Sequence, residues 1–178
     1  MYKRQALDWV SAQNLMALGV APLAMPELDL YRHVVVEPGP GAATRELGLR
    51  AEPNFELLAS LKPDLQVYTA EMAALLPKLG RISPTLRFDP YPPGGAPDLW
   101  LAGRDALLRL GSALGRAPAA EAYARACAEE LDRWRERMRG YDGRPVYVAT
   151  ILDGRRMLVF GRGSLFQSCL LYTSDAAD

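Results

Sequence analysis

Gly48-Leu49-Arg50-Ala51-Glu52-Pro53-Asn54-Phe55-Glu56-Leu57-Leu58 is the stretch on which the fold turns. It reads as a glycine-led turn running into a helix. Pro53-Asn54 starts the helix, Phe55, Leu57, Leu58 and Leu61 place apolar groups on one side, and Lys62-Pro63 ends it. Leu65 to Tyr68 follows as a strand. Such a turn projects its side chains at the carboxyl edge of a parallel sheet, where α/β proteins hold their ligands. Arg50 is therefore the residue singled out, since its guanidinium presents a planar fork of donors to ligand oxygens. The competing assignment is a surface arginine paired with Glu52 or Glu56.

Working outward, the same alternation recurs. Towards the N-terminus, Ala6 to Trp9 reads as the stub of a first strand, and Ser11 as the cap of a helix from Ala12 to Leu18, ended by Gly19. Val20 to Ala24 suits a short buried strand. Glu27 to Val36 is ambiguous, because it ends in the β-branched run Val34-Val35-Val36. Glu37 to Gly41 is a loop. Towards the C-terminus, Met72 to Leu79 reads as helical, Thr85 to Phe88 as a strand, and Leu99 to Leu114 as a helix stopped by Gly115. Between Pro118 and Gly140 lies a helix of about 22 residues, roughly 33 Å long at 1.5 Å per residue. Its Tyr123, Cys127, Leu131, Trp134 and Met138 form one apolar stripe, of the kind that is normally buried. Val146 to Leu152 and Met157 to Phe160 are strand-like, joined by the turn signal Asp153-Gly154. Strands alternating with helices predict an α/β fold with a Rossmann-like parallel sheet.

Composition excludes several functions. The 178 residues hold 21 Lys plus Arg against 21 Asp plus Glu, so no net field attracts nucleic acid. No apolar run approaches the roughly 20 residues of a membrane-spanning helix. The single His33 and the separated Cys127 and Cys169 offer no zinc or disulfide framework. Gly161-Arg162-Gly163 fails the dinucleotide fingerprint, because Phe166 stands where the third glycine belongs. No Gly-x-Ser-x-Gly nucleophile motif is present. The alternating charges from Glu129 to Arg139 read as a solvated helix surface.

The run Gly48 to Leu58 with Leu61-Lys62-Pro63-Asp64 resembles the periplasmic binding proteins for iron(III)-hydroxamate siderophores. Tyr31-Arg32 with Glu37-Pro38, Arg81-Ile82 with Pro84, and Arg156 to Gly161 with Ser164 to Gln167 fit the same family. The resemblance implies two α/β lobes joined by one long helix, with a shallow ligand cleft between them. On this division 6–116 is the N-terminal lobe, 117–140 the joining helix, and 141–168 the start of a truncated second lobe. It implies a substrate-binding component of an ABC importer, not an enzyme, carrying a ferric hydroxamate siderophore to an inner-membrane permease. It also implies a periplasmic monomer with no cofactor. The family's hydroxamate-binding arginine falls on Arg50. Its cleft tryptophan falls on Val34 and its ligand-binding tyrosine on Met72, with Tyr68 close enough to substitute. Its permease-docking acid falls on Pro77, and Glu71 is the nearest acidic alternative. A vitamin B12 or haem carrier of the same architecture is the alternative within this class, and a nucleotide-dependent Rossmann-like enzyme the alternative outside it.

The two ends read differently from the rest. Met1 to Gln5, written GTG-TAT-AAG-AGA-CAG, has a reverse complement that encodes Cys-Leu-Leu-Tyr one frame over, the sequence of Cys169 to Tyr172. Residues 1–5 and 169–178 therefore look like the two strands of a sequencing-library adapter. On that reading both ends of the gene are missing, and the second-lobe stub exposes Val146, Val148, Leu158 and Phe160.

Overall fold

The computed structural model describes residues 3–92, 94, 96, 98–141, 147–160, 164 and 166. The chain divides into two compact units, residues 1–89 with 110–120, and residues 90–109 with 121–178. In order, the elements are β1 (Arg4–Ala6), α1 (Trp9–Ala17), β2 (Ala24–Met25), α2 (Leu28–Val34), β3 (Arg45–Glu46), α3 (Phe55–Leu61) and β4 (Leu65–Tyr68). A 3-10 segment, Ala70–Leu75, leads into α4 (Leu76–Leu79). Then come β5 (Thr85–Arg87), α5 (Leu99–Ala113), α6 (Ala117–Met138), β6 (Ala149–Asp153) and β7 (Arg156–Val159).

The sheet of the first unit is parallel, in the order β1-β4-β5, with Ala6 opposite Val67 and Val67 opposite Leu86. A second parallel pair, β2 with β3, sets Ala24 opposite Arg45. The core beneath them gathers Leu7, Ala24, Leu47, Leu58, Tyr68 and Leu79. Phe55, Leu57 and Leu61 of α3 pack onto it, which is the apolar side expected of that helix. Asn54 caps α3 by accepting the Leu57 N–H at 2.9 Å. Gly48 has a φ of +90°, which an L side chain rarely adopts, and it bridges to Pro53 across the turn.

Several local expectations shift: the strand expected over Val20 to Ala24 is Ala24–Met25, and the helix expected from Met72 is 3-10 as far as Leu75. The first strand begins at Arg4, two residues before Ala6. Gln5 is fully buried, and its side chain donates to Ala24 O at 2.7 Å and accepts from Ala24 N–H at 3.1 Å. It thereby joins β1 to β2. The first helix begins at Trp9, because Asp8 rather than Ser11 is its cap: Asp8 Oδ1 accepts the Ser11 N–H at 2.7 Å, and Ser11 lies inside the helix. The ambiguous stretch after Glu27 is helical to Val34 despite its β-branched end. The Glu46 carboxylate accepts the Leu28 N–H at 2.7 Å, and Tyr31 is fully buried, so capping and burial outweigh propensity.

α5 and α6 meet at a glycine. A Cβ at Gly111 would come within 2.4 Å of Ala120 Cβ, and Arg116 N–H donates to Gly111 O at 2.7 Å. The stripe on α6 is only half covered: Tyr123 is 44% exposed, Trp134 49% and Met138 40%.

In the second unit β6 and β7 form an antiparallel hairpin. Its turn is tied by Asp153 Oδ1, which accepts the Arg155 and Arg156 N–H groups. The first of these contacts, with the Arg156 side chain, holds the Asp153 carboxyl below the ordinary aspartate range. Leu158 is exposed, while Val148 and Phe160 are half-buried. Val146 and Gly161-Arg162-Gly163 lie outside the described residues.

Candidate ligand-binding site

Because β1, β4 and β5 run parallel, the residues that follow each strand collect at one edge of the sheet. Two carboxylates there hold the segment after the central strand. Asp8, beyond β1, accepts the Thr69 N–H through Oδ2 at 2.8 Å, and Asp89, beyond β5, accepts the Ala70 N–H through Oδ1 at 2.9 Å. Thus anchored on both sides, the 3-10 segment presents Glu71, Met72, Ala74 and Leu75 to an open depression of about 490 Å³. Arg50 and Ala51 complete its lining. The turn from Gly48 therefore delivers Arg50 to the carboxyl edge of the sheet.

The partners of Arg50 come from elsewhere in the sequence. Its Nε donates to Glu27 Oε2 at 2.8 Å, and its backbone N–H to Glu27 Oε1 at 3.4 Å. Neither Glu52 nor Glu56 is its partner. The guanidinium carbon lies 5.0 Å from the centroid of the Trp9 ring, a cation–π distance. Trp9 is itself fixed: its indole N–H donates to Pro26 O at 2.8 Å, and Tyr31 meets it edge-on with centroids 5.4 Å apart. Tyr31 O–H donates to Pro38 O at 2.7 Å, and burial pushes its hydroxyl above the ordinary tyrosine range. Among the described residues the two Nη groups of Arg50 have no protein partner, and the side chain is 44% exposed. Donors are thus held in place with their outer face open.

The other expected site residues scatter. Met72 lines the depression and also packs on the core. Glu71, expected as a docking acid, lines the same depression as Arg50. Tyr68 does not reach the depression. As the last residue of β4 it packs into the core and is only 7% exposed. Val34 is 59% exposed at the far end of α2 from Glu27 and does not line the depression. Trp9 and Glu27 join Arg50 only in the folded chain. An aromatic residue directly after a parallel strand was the available signal for Trp9. Nothing local points to Glu27.

No group of His, Cys, Asp and Glu among the described residues could hold a metal ion. No described helix is long and apolar enough to cross a membrane. What the edge offers is a shaped, partly apolar wall with fixed donors, a lining of the kind that holds small molecules. Residues 6–171 match the periplasmic binding protein family, and the chain belongs to that family.

The Escherichia coli (strain K12) iron(3+)-hydroxamate-binding protein FhuD is 34% identical over 165 residues, which are 93% of this chain and 55% of that protein. The chain thus spans about half the length of this curated relative. In structure it is similar to FhuD of Vibrio cholerae bound to Fe3+-Desferal, with a TM-score of 0.76 at 24% identity, covering 85% of this chain and 57% of that one. It is also similar to the iron-uptake substrate-binding protein PiuA of Streptococcus pneumoniae, with a TM-score of 0.67 at 23% identity, covering 97% and 58%. The α/β fold expected from the strand–helix alternation is the fold of these proteins.

Proposed function

We propose that the chain belongs to the substrate-binding component of an ABC importer, which captures a ferric hydroxamate siderophore in the periplasm and delivers it to an inner-membrane permease. The observation that carries this reading is the Arg50 guanidinium, fixed by Glu27 and Trp9 at the carboxyl edge of a parallel sheet, with both Nη groups open. In a ferric trihydroxamate the iron is saturated by six ligand oxygens, so the protein supplies no metal ligand. Recognition then needs donors to the coordinated oxygens and apolar walls for the organic scaffold. Arg50 supplies the donors. Met72, Leu75 and Ala51 supply the wall. In this reading Glu71 belongs to the rim of the ligand depression. The family membership and the identity to FhuD support the same ligand class.

The 178-residue chain, carrying one wall of the cleft, is expected to bind weakly or not at all, so the test is a titration of the protein with both lobes with a ferric trihydroxamate, a corrinoid and haem, followed by tryptophan fluorescence. Quenching by the trihydroxamate at the lowest concentration, diminished in Trp9→Phe and Arg50→Ala, is the expected result. Quenching by the corrinoid or haem alone overturns the ligand class.

A further inference from the structure

Glu27 is an unusual residue for its position. Its φ of 52° and ψ of 44° place it in the left-handed region, which is uncommon for a residue with a Cβ. It is the cap residue of α2, yet its carboxylate makes no cap bond. That task falls to Glu46, whose two oxygens accept the Leu28 and Gly48 N–H groups, each at 2.7 Å. Glu27 N–H donates to Gly48 O at 2.9 Å, which ties the backbone of Glu27 to the turn carrying Arg50. With its cap work done by another residue, the Glu27 carboxylate is left for Arg50 alone. Its side chain is only 17% exposed against 44% for Arg50, so the acid lies behind the guanidinium and the guanidinium faces the solvent.

This arrangement has an electrostatic consequence. A lone guanidinium at the rim of a depression attracts anions. Here its charge is cancelled by a carboxylate 2.8 Å away, and Glu71 adds a second negative charge to the same depression. The Nη groups keep their hydrogen-bonding capacity, while the three charges so placed, Arg50, Glu27 and Glu71, sum to one negative.

We infer that Glu27 is the residue that sets the charge selectivity of the site. It fixes Arg50 in a donating orientation and removes its net charge, so that electrically neutral or cationic ferric chelates bind and anionic ones are rejected. The inference rests on the function proposed above and adds to it a discriminating residue. Glu27 acts through Arg50 and is a positioning residue.

The experiment compares the protein with both lobes with its Glu27→Gln and Glu27→Gly variants. The probes are a neutral ferric trihydroxamate and a trianionic ferric tris-catecholate, and the readout is the ratio of their dissociation constants at two salt concentrations. Glycine accepts the left-handed backbone without a Cβ penalty, so Glu27→Gly removes the carboxylate while preserving the fold. Both variants are expected to shift the ratio towards the trianion by about tenfold or more, with the shift shrinking at high salt. An equal change for both chelates, or none, in a wild-type chain that binds the trihydroxamate overturns the role of Glu27 and leaves the proposed function standing. Failure of the wild-type chain and both variants to bind either chelate overturns both.

Discussion

Asp8 and Thr69, 61 positions apart, are joined by a 2.8 Å hydrogen bond from the Thr69 N–H to Asp8 Oδ2, while Asp8 Oδ1 accepts the Ser11 N–H at 2.7 Å. One nearly buried carboxylate thus caps α1 and holds the start of the segment that carries Glu71 and Met72. Replacing it by alanine strands two backbone donors. At roughly 1–3 kcal/mol for each buried unsatisfied group, Asp8→Ala is expected to cost about 2–6 kcal/mol. Asp8→Asn keeps one acceptor and should cost about half as much. Midpoints of urea unfolding measure both, and equal midpoints for wild type and Asp8→Ala would refute the role.

Arg50 should separate binding from stability. Its pair with Glu27 is substantially exposed on the arginine side, so Arg50→Ala and Arg50→Lys are each expected to change stability by less than about 1 kcal/mol. Ferric trihydroxamate affinity should fall by about tenfold or more in both, since an ammonium lacks the planar fork of donors. Full retention of affinity in Arg50→Lys would show that charge alone suffices.

Gln5 tests whether β1 is held by its side chain. Leucine keeps the bulk but leaves the Ala24 N–H and C=O without their partner, a loss of roughly 1–3 kcal/mol. Hydrogen exchange at Ala24 and Val67 should accelerate together in Gln5→Leu. Unchanged protection at Ala24 would mean that the buried amide is dispensable.

At Gly111 two effects compete. Alanine is favoured over glycine in a helix by about 1 kcal/mol. Its Cβ, however, would lie 2.4 Å from Ala120 Cβ, and neither atom is the end of a flexible side chain. Overpacking of this kind costs about 1–3 kcal/mol, so Gly111→Ala should lower the melting temperature. Adding Ala120→Gly should restore most of the loss, and a double variant no more stable than the single one would place the strain elsewhere.

The sequence by itself determined the elements whose signals are local. Asn54 capping α3, the strand Leu65–Tyr68, the helix opening beside Pro118, the turn at Asp153 and the placing of Arg50 after Gly48 all follow from φ preferences, caps and periodicities acting within one or two turns of chain. The resemblance to a siderophore-binding family was legible for the same reason, since short motifs carry it. Local signals also misled where two residues could do one job, as with Ser11 and Asp8.

Tertiary structure alone decided what each side chain meets. Arg50 pairs with Glu27, 23 positions away, rather than with the acids beside it, because β2 and β3 are paired in a register that brings the two turns together. Tyr68, at the end of its strand, was free to face either way until packing with Leu7, Leu47 and Leu79 turned it into the core. Trp9 lies under the guanidinium because β1 runs parallel to β4 and ends at the same edge. Strand order and register arise from burying apolar surface across the whole unit, and a charge or ring takes its partner from whatever that burial brings within a few ångströms.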